Sequence, residues 1–342
     1  MPTFSIIVPI HSGEPHLLKD CIRSIVHQDV DDYECLLVCD DESLNGVDVP
    51  AKFHVFRVEP SSIGFKRNYA CKQSQGDYIL FVDADDLIAS NCLSVASDVI
   101  KKVHPDLICF NYTSDLEKFQ NQKPIFFQPT LLSPDEIRKN IFEACFYSER
   151  PAWKDGCFIG AVWGKVFKRD IIFKNSLLVP DFDYSFEDKI FDTDFAYHCS
   201  NSCAVLEDFV GYYWRPNLKS VSHSVKPLAN YAAFYDACIS MAQKNGFTVE
   251  RTRFLQQILG NRYIDYSVPY SLGMFSRKCS LLEIRNAFAQ ASKTKFFKFA
   301  HSLPGEAKGD KVKNSLIRLH CFFLASMFAH WYWYSRNKVL KK

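Results

Sequence analysis

Hydrophobic and polar positions fall into alternating blocks over the first third of the chain. "FSIIVPI" (4–10) is a continuous apolar run of the kind a strand shows when both faces are buried, and Leu17, Leu18, Cys21, Ile22, Ile25 and Val26 follow at helical spacing. "YECLLVC" (33–39) predicts a second strand running into Asp40-Asp41, "FHVFRV" (53–58) a third, and residues 63–75 a helix closed by Gly76. "DYILFVD" (77–83) predicts a fourth strand and "DLICFNY" (106–112) a fifth, after a helix over 92–103. Repeated βα units of this type predict an α/β fold with a mostly parallel sheet covered by helices on both faces. In such sheets ligands bind beyond the carboxyl ends of the strands, where Asp40, Asp41, Asp83, Asp85 and Asp86 fall.

Residues 113–224 lose this alternation and carry many aromatics. Within them "GAVWGKVFKRDIIF" (160–173) reads as a strand-turn segment and "YSFEDKIFDTDFAYHCSN" (184–201) as a helix start. From about Val225 the pattern is helical to the end, broken at "PGEAKGDKVK" (304–313). The expected organisation is therefore 1–224, with a donor-side part (1–112) and an acceptor-side part (113–224), followed by a helical region over 225–342.

Composition changes this picture in three places. The 13 cysteines are odd in number and contain no CxxC pair, so they read as core residues of a reducing cytosol rather than a disulfide framework or zinc site. The N-terminus has no basic leader, and its apolar run is too short for a secretory signal. A net charge of +2 excludes a nucleic-acid footprint spread over the whole chain, yet residues 307–342 hold eight Lys/Arg against Asp310 alone. Within that basic tail Leu319–Tyr334 is apolar and aromatic. At 1.5 Å per residue it reaches only about 24 Å, short of the roughly 30 Å hydrocarbon core, so it suits a membrane surface or a packed helix better than a span.

The sharpest chemical signal is "ILFVDADDLI" (79–88), a buried-type strand driven into three carboxylates. Like charges so close repel and lose hydration, and the cluster needs a compensating partner, for which a bound cation is the natural candidate. The strand-helix opening (4–28), "ECLLVCDDES" (34–43), "IGFKRNYACKQSQGDYILFVDADD" (63–86), "AVWGKVFKRDII" (161–172), "FEDKIF" (186–191) and "YYWRPNLKSVSHS" (212–224) occur in this order. Together they resemble the family 2 glycosyltransferases, inverting enzymes of GT-A fold that build bacterial surface polysaccharides. Two positions depart from that pattern: His11-Ser12 replaces an aromatic-Asn pair, and Glu42 stands where Gly is usual.

The resemblance implies an inverting transfer of a hexose or N-acetylhexosamine from a UDP-sugar to a lipid-linked or polysaccharide acceptor, on lipopolysaccharide, O-antigen or capsule. It places the enzyme in the cytoplasm, peripheral on the inner face of the plasma membrane. It implies Mn²⁺ or Mg²⁺ held by Asp83 and Asp85, with Ala84 between them in the DxD motif, and a base contact from Asp41. Pro9 and His11 line the nucleotide pocket in that reading. Asp188 of the "ED" pair is the expected base, with Glu187 orienting the acceptor. Trp163 and Lys165 fall on the acceptor side, and His223 is a candidate to close over the diphosphate or the metal. Arg67 is a candidate for the diphosphate, beside Lys66, which equally suits a solvated surface pair. Asp86 reads as a helix cap or as a support behind the cation ligands. A sugar-nucleotide synthase is disfavoured because "IHSGEP" (10–15) is not a Gly-rich phosphate loop, and a dehydrogenase because GxGxxG is absent after the first strand. A non-catalytic binding relative is disfavoured by the intact Asp83, Asp85 and Asp188.

Overall fold

The computed structural model describes residues 2–11, 15–40, 44, 46–122, 128–146, 160–181, 187–216, 230–263 and 279–296, with single positions from 299 to 327. The chain divides into two compact units, Met1–Asn217 and Leu218–Lys342.

The first unit is built on a nine-stranded sheet. Its strands are β1 (Phe4–Pro9), β2 (Tyr33–Cys39), β3 (Phe53–Arg57), β4 (Tyr78–Phe81), β5 (Leu87–Ile88), β6 (Leu107–Thr113), β7 (Thr130–Leu132), β8 (Lys165–Lys168) and β9 (Cys203–Tyr213). The order is β3-β2-β1-β4-β8-β6-β9-β5, with β7 also paired to β9. Strands β3, β2, β1 and β4 are mutually parallel, β8 is inserted antiparallel between β4 and β6, and β6 is again parallel to β9. The apolar runs become strands because every residue of β1 and β4 is buried. Helix α1 (Pro15–Val26) buries the face made by Leu17, Leu18, Cys21, Ile22 and Ile25.

Helix α2 (Ile63–Gln73) starts at an N-cap Ser62, whose side chain accepts from the Phe65 N–H, and its chain then passes directly against β1. A Cβ at Gly76 would lie 2.6 Å from Phe4 C and Ser5 N, so only glycine fits that approach. The buried Glu34 carboxylate locks the same corner, accepting from Ser5 Oγ (2.6 Å) and from the amides of Gln75 (2.5 Å) and Gly76 (3.2 Å). Helices α3 (Cys92–Val103), α4 (Leu116–Gln120), α5 (Pro134–Phe146), α6 (Arg169–Lys174) and α7 (Glu187–His198) complete the unit. The result that matters for chemistry is that β1 lies between β2 and β4 in register, Pro9 opposite Val38 and Ile7 opposite Phe81. The carboxyl ends of the three strands therefore open together where the strand order reverses, the usual ligand crevice of such sheets.

In the second unit the described helices are α8 (Asn230–Lys244), α9 (Val249–Arg262) and α10 (Leu281–Ala291). Tyr231, Tyr235, Tyr263 and Phe296 form its aromatic centre, with ring centroids 5.0–5.2 Å apart. Ser280 and Glu283 form a capping box at the start of α10. No helix among the described residues is long and apolar enough to cross a membrane. The cysteines described are free thiols, buried except for Cys321.

Candidate active site

The turn after β4 is held from behind by β9. Tyr212 accepts from the Asp83 N–H (3.1 Å) and donates to Asp86 Oδ2 (2.7 Å). The Arg215 N–H donates to Asp86 Oδ1 (2.7 Å), while its Nε donates to the Asp85 carbonyl (2.8 Å) and its Nη2 to Asp20 Oδ2 (3.3 Å). Asp86 is thus an internal anchor. It does not cap a helix, since β5 intervenes and α3 begins only at Cys92. Burial, followed by the nearby Asp83, pushes Asp86 up to about 8 against the pull of the Arg215 N–H. Asp83 and Asp85 are half-buried at the crevice.

Helix α2 supplies the positive charge. Lys66 is fully buried; its Nζ donates to the Ile10 carbonyl (2.6 Å) and pairs with Asp40 Oδ1 (2.7 Å), bracing the ends of β1 and β2. It is not a solvated surface residue. Arg67 is also buried, and its guanidinium bridges two acidic elements. Nη2 meets Asp83 Oδ1 at 2.8 Å, and Nη1 meets Asp188 Oδ1 at 2.6 Å, with Glu187 Oε1 at 3.7 Å. Burial opposes the Arg67 charge, but Asp188, Asp83 and Glu187 more than restore it and hold its pKa above the usual value. Burial likewise pushes Asp83 up, against the pull of Arg67. The next residue, Asn68, clamps the chain that leads toward α7, donating to the Val179 carbonyl (2.7 Å) and accepting from the Val179 N–H (2.8 Å).

Glu187 and Asp188 form the first turn of α7, the end where the helix dipole favours acids. Burial and the neighbouring Asp188 push Glu187 up to about 8 against Arg67. Between about pH 4.5 and 8 the folded chain therefore holds a proton that the unfolded chain has lost. That stabilising contribution is full below about 4.5 and gone above about 8. Glu187→Gln is expected to remove the slope, so that the variant gains stability relative to wild type as pH rises from 5 to 8. Urea unfolding at several pH values measures the difference, and a constant difference would refute the shift.

Across from α7, Trp163 stacks on Tyr212 with centroids 4.6 Å apart and 11° between planes, and meets Tyr112 edge-on at 5.1 Å. It remains half-buried. Lys165 turns inward: its Nζ donates to the Ala161 carbonyl and to Asp192 Oδ2 (3.0 Å), and both charged side chains are buried. Sequence alone places a lysine on the surface, but a buried partner one turn past Asp188 on α7 draws it in. Burial works against the Lys165 charge, and Asp192 overrides it, raising the lysine above its usual pKa. Lys165→Met would leave Asp192 buried without its cation, an expected loss of about 3–5 kcal/mol by urea unfolding. A loss below about 1 kcal/mol would mean that the pair does little to hold the folded chain.

Residues 5–171 match the sequence model of Glycosyl transferase family 2. The chain carries a family 2 glycosyltransferase domain. It is 25% identical over 278 residues to the poly(ribitol-phosphate) beta-glucosyltransferase of Bacillus spizizenii W23, covering 77% of this chain and 40% of that one. It is 24% identical over 231 residues to the poly(ribitol-phosphate) beta-N-acetylglucosaminyltransferase TarP of Staphylococcus aureus N315, covering 65% and 64%. The chain thus spans less than two thirds of the length of either relative. The crystal structure of S. aureus TarS 1–349 in complex with UDP-GlcNAc shares the fold, with a TM-score of 0.60 at 19% identity over 97% of this chain and 91% of that one. The first unit is therefore a GT-A fold, as the ordered motifs imply.

Within the first unit the structure brings Arg67, Asp83, Glu187 and Asp188 together and sets Trp163 on the ring of Tyr212, which holds Asp83 and Asp86. Pro9 ends β1, buried, and His11 stands exposed just beyond it. Ala84 is half-buried in the turn. Asp41 and His223 lie outside the described residues. Tyr212, Arg215 and Asp192 are site residues that the sequence reading did not single out. No three His, Cys, Asp or Glu side chains converge as a ready cation cage among the described residues. Two half-buried carboxylates at a strand end fit a hard divalent ion of the Mg²⁺ type, which is held by one or two carboxylates and completed by water and substrate phosphates.

Proposed function

We propose that the chain is an inverting glycosyltransferase that moves a hexose or N-acetylhexosamine from a UDP-sugar to a hydroxyl of a surface polysaccharide or lipid-linked glycan. The observation that carries this reading is the Arg67 bridge, which places the donor-side Asp83 and the acceptor-side Asp188 on one guanidinium. Asp188 is the base that takes the proton of the acceptor hydroxyl, and a single such carboxylate suffices for displacement with inversion. Glu187, held above the usual carboxylate range, orients the acceptor. Trp163 offers an aromatic face for a sugar ring beside it. Asp83 and Asp85 would hold Mn²⁺ or Mg²⁺, which when bound supplies charge stabilisation to the departing diphosphate. The relatives named for beta-transfer onto poly(ribitol phosphate) support a polymeric polyol or glycan acceptor and, from α-linked UDP-sugars, an inverted product.

The test is UDP release by the purified full chain from UDP-glucose, UDP-galactose, UDP-GlcNAc and UDP-GalNAc, with and without poly(ribitol phosphate) or lipid-extracted glycan, in Mn²⁺ and in Mg²⁺. Turnover of one donor above the rest is expected. No release from any of them under any condition would overturn the reading.

Placement at the cytoplasmic face of the membrane belongs to the same proposal and rests on the basic, aromatic tail. Leu319, Leu324 and Met327 are exposed along it, and residues 328–342 lie outside the described residues. Each Lys or Arg near an anionic surface adds about 1 kcal/mol of attraction. The full chain is expected to co-sediment with phosphatidylglycerol vesicles at low salt, and far less when Lys338→Glu, Lys341→Glu and Lys342→Glu are combined. Equal sedimentation of both proteins would rule out the tail as the anchor.

A further inference from the structure

Asp188 has two oxygens, and the contacts to them have different origins. Oδ1 is held by Arg67 at 2.6 Å, and Oδ2 accepts from the Val162 N–H at 3.4 Å. Val162 lies in the turn 160–164, which is bent by Gly164 at φ +70° and packed so tightly on α7 that a Cβ at Gly160 would lie 2.8 Å from Lys189 Cγ. What fastens this turn is Lys165. Its Nζ holds the Ala161 carbonyl on one side and Asp192 Oδ2 on the other, and Asp192 stands four residues after Asp188 on the same face of α7. The contacts close a ring: Asp188 to Val162, along the chain to Ala161, through the Lys165 ammonium to Asp192, and back along one helical turn to Asp188.

Resting on the reading of Asp188 as the base, we infer that the buried Lys165–Asp192 pair is a positioning device for the acceptor-side reaction. Neither residue touches substrate. The pair fixes the 160–164 turn against α7 so that the Val162 N–H sets the plane of the Asp188 carboxylate, while Arg67 sets its direction. The same turn carries Trp163, so the pair also fixes the aromatic face relative to the base. A cation and an anion serve here where two apolar residues would fill the space, because only the ammonium can bind a carbonyl of the turn and a carboxylate of the helix at once.

The test separates positioning from stability. Lys165→Met combined with Asp192→Leu removes both charges, fills the space and is expected to recover the stability that Lys165→Met alone loses. Transfer by this refolded double variant is expected to stay about 10- to 100-fold below wild type, the scale of a small misplacement at a reacting group. Its affinity for UDP should change less than about twofold, because the donor side is untouched. Placed on Asp188→Asn, the same pair of changes should cost less than about threefold further, since residues acting through one group are not additive. A double variant as stable and as fast as wild type would overturn the inference while leaving the base role intact, as would a full multiplicative loss in the Asp188→Asn background. Wild-type turnover by Asp188→Asn itself would overturn both. Amide exchange gives a reading free of turnover: the isosteric Asp192→Asn should accelerate exchange at Val162, and an unchanged rate there would also overturn the proposal.

Discussion

Asp188→Asn is expected to cut transfer by about 10²- to 10⁴-fold, the usual worth of a positioned base, with UDP affinity within about twofold of wild type. Asparagine keeps an oxygen for the Arg67 Nη1 contact at 2.6 Å, so the α2–α7 bridge survives while the proton acceptor is lost. Glu187 does not replace it, because its Oε1 sits 3.7 Å from the same guanidinium and burial, the largest cause that raises its carboxyl, persists when the Asp188 charge is gone. Initial rates with the donor chosen by the UDP-sugar screen, calorimetry with UDP and NMR of the product's anomeric proton form the measurement. A β-linked product from an α-linked donor is expected. A product of retained configuration, or a rate within tenfold of wild type, would remove Asp188 from the role of base.

The parts of the fold that sequence reveals are those set by local patterning. β4 is an unbroken apolar run, and β1 and β2 are apolar but for Ser5 and Glu34, because both faces are buried, and α1 shows its buried side at helical spacing. β9 escaped notice because Glu207-Asp208 interrupts its apolar run, where the pairing with β6 slips register between Phe110 and Tyr112. The segment "YYWRPNLKSVSHS" (212–224) is legible as a motif, but only the fold shows that Tyr212 and Arg215 hold the DxD turn. The carboxylates of the DxD turn were legible as a charge conflict, yet their compensation was only partly anticipated. Asp86 is satisfied by Tyr212 and the Arg215 amide, and Asp83 pairs with Arg67. Lys66, Arg67 and Lys165 show why charged residues are the hardest to place from sequence. Their partners Asp40, Asp188 and Asp192 lie 26, 121 and 27 positions away, and only the fold shows that these charges are buried.

Asp85→Ala is the change expected to abolish turnover altogether. Of the three acids in the turn, Asp86 is buried in hydrogen bonds and Asp83 anchors Arg67, so removing either would disturb the scaffold as well as the chemistry. Arg215 Nε instead grips the backbone carbonyl of Asp85, a contact that alanine retains. The substitution therefore deletes one carboxylate from the crevice and leaves that grip on the turn in place. A diphosphate whose charge is not neutralised is a poor leaving group, and a divalent ion is worth several kcal/mol at such a centre. Wild-type turnover is expected to vanish in excess chelator and return with Mn²⁺ or Mg²⁺, and Asp85→Ala to be inactive under both conditions. A second readout does not depend on turnover: UDP binding to wild type should tighten with Mn²⁺, whereas binding to the variant should hardly respond. Full turnover by wild type in chelator, with residual metal verified as negligible, would dismiss the cation. Mn²⁺-tightened UDP binding by Asp85→Ala equal to that of wild type would move the cation's ligand elsewhere.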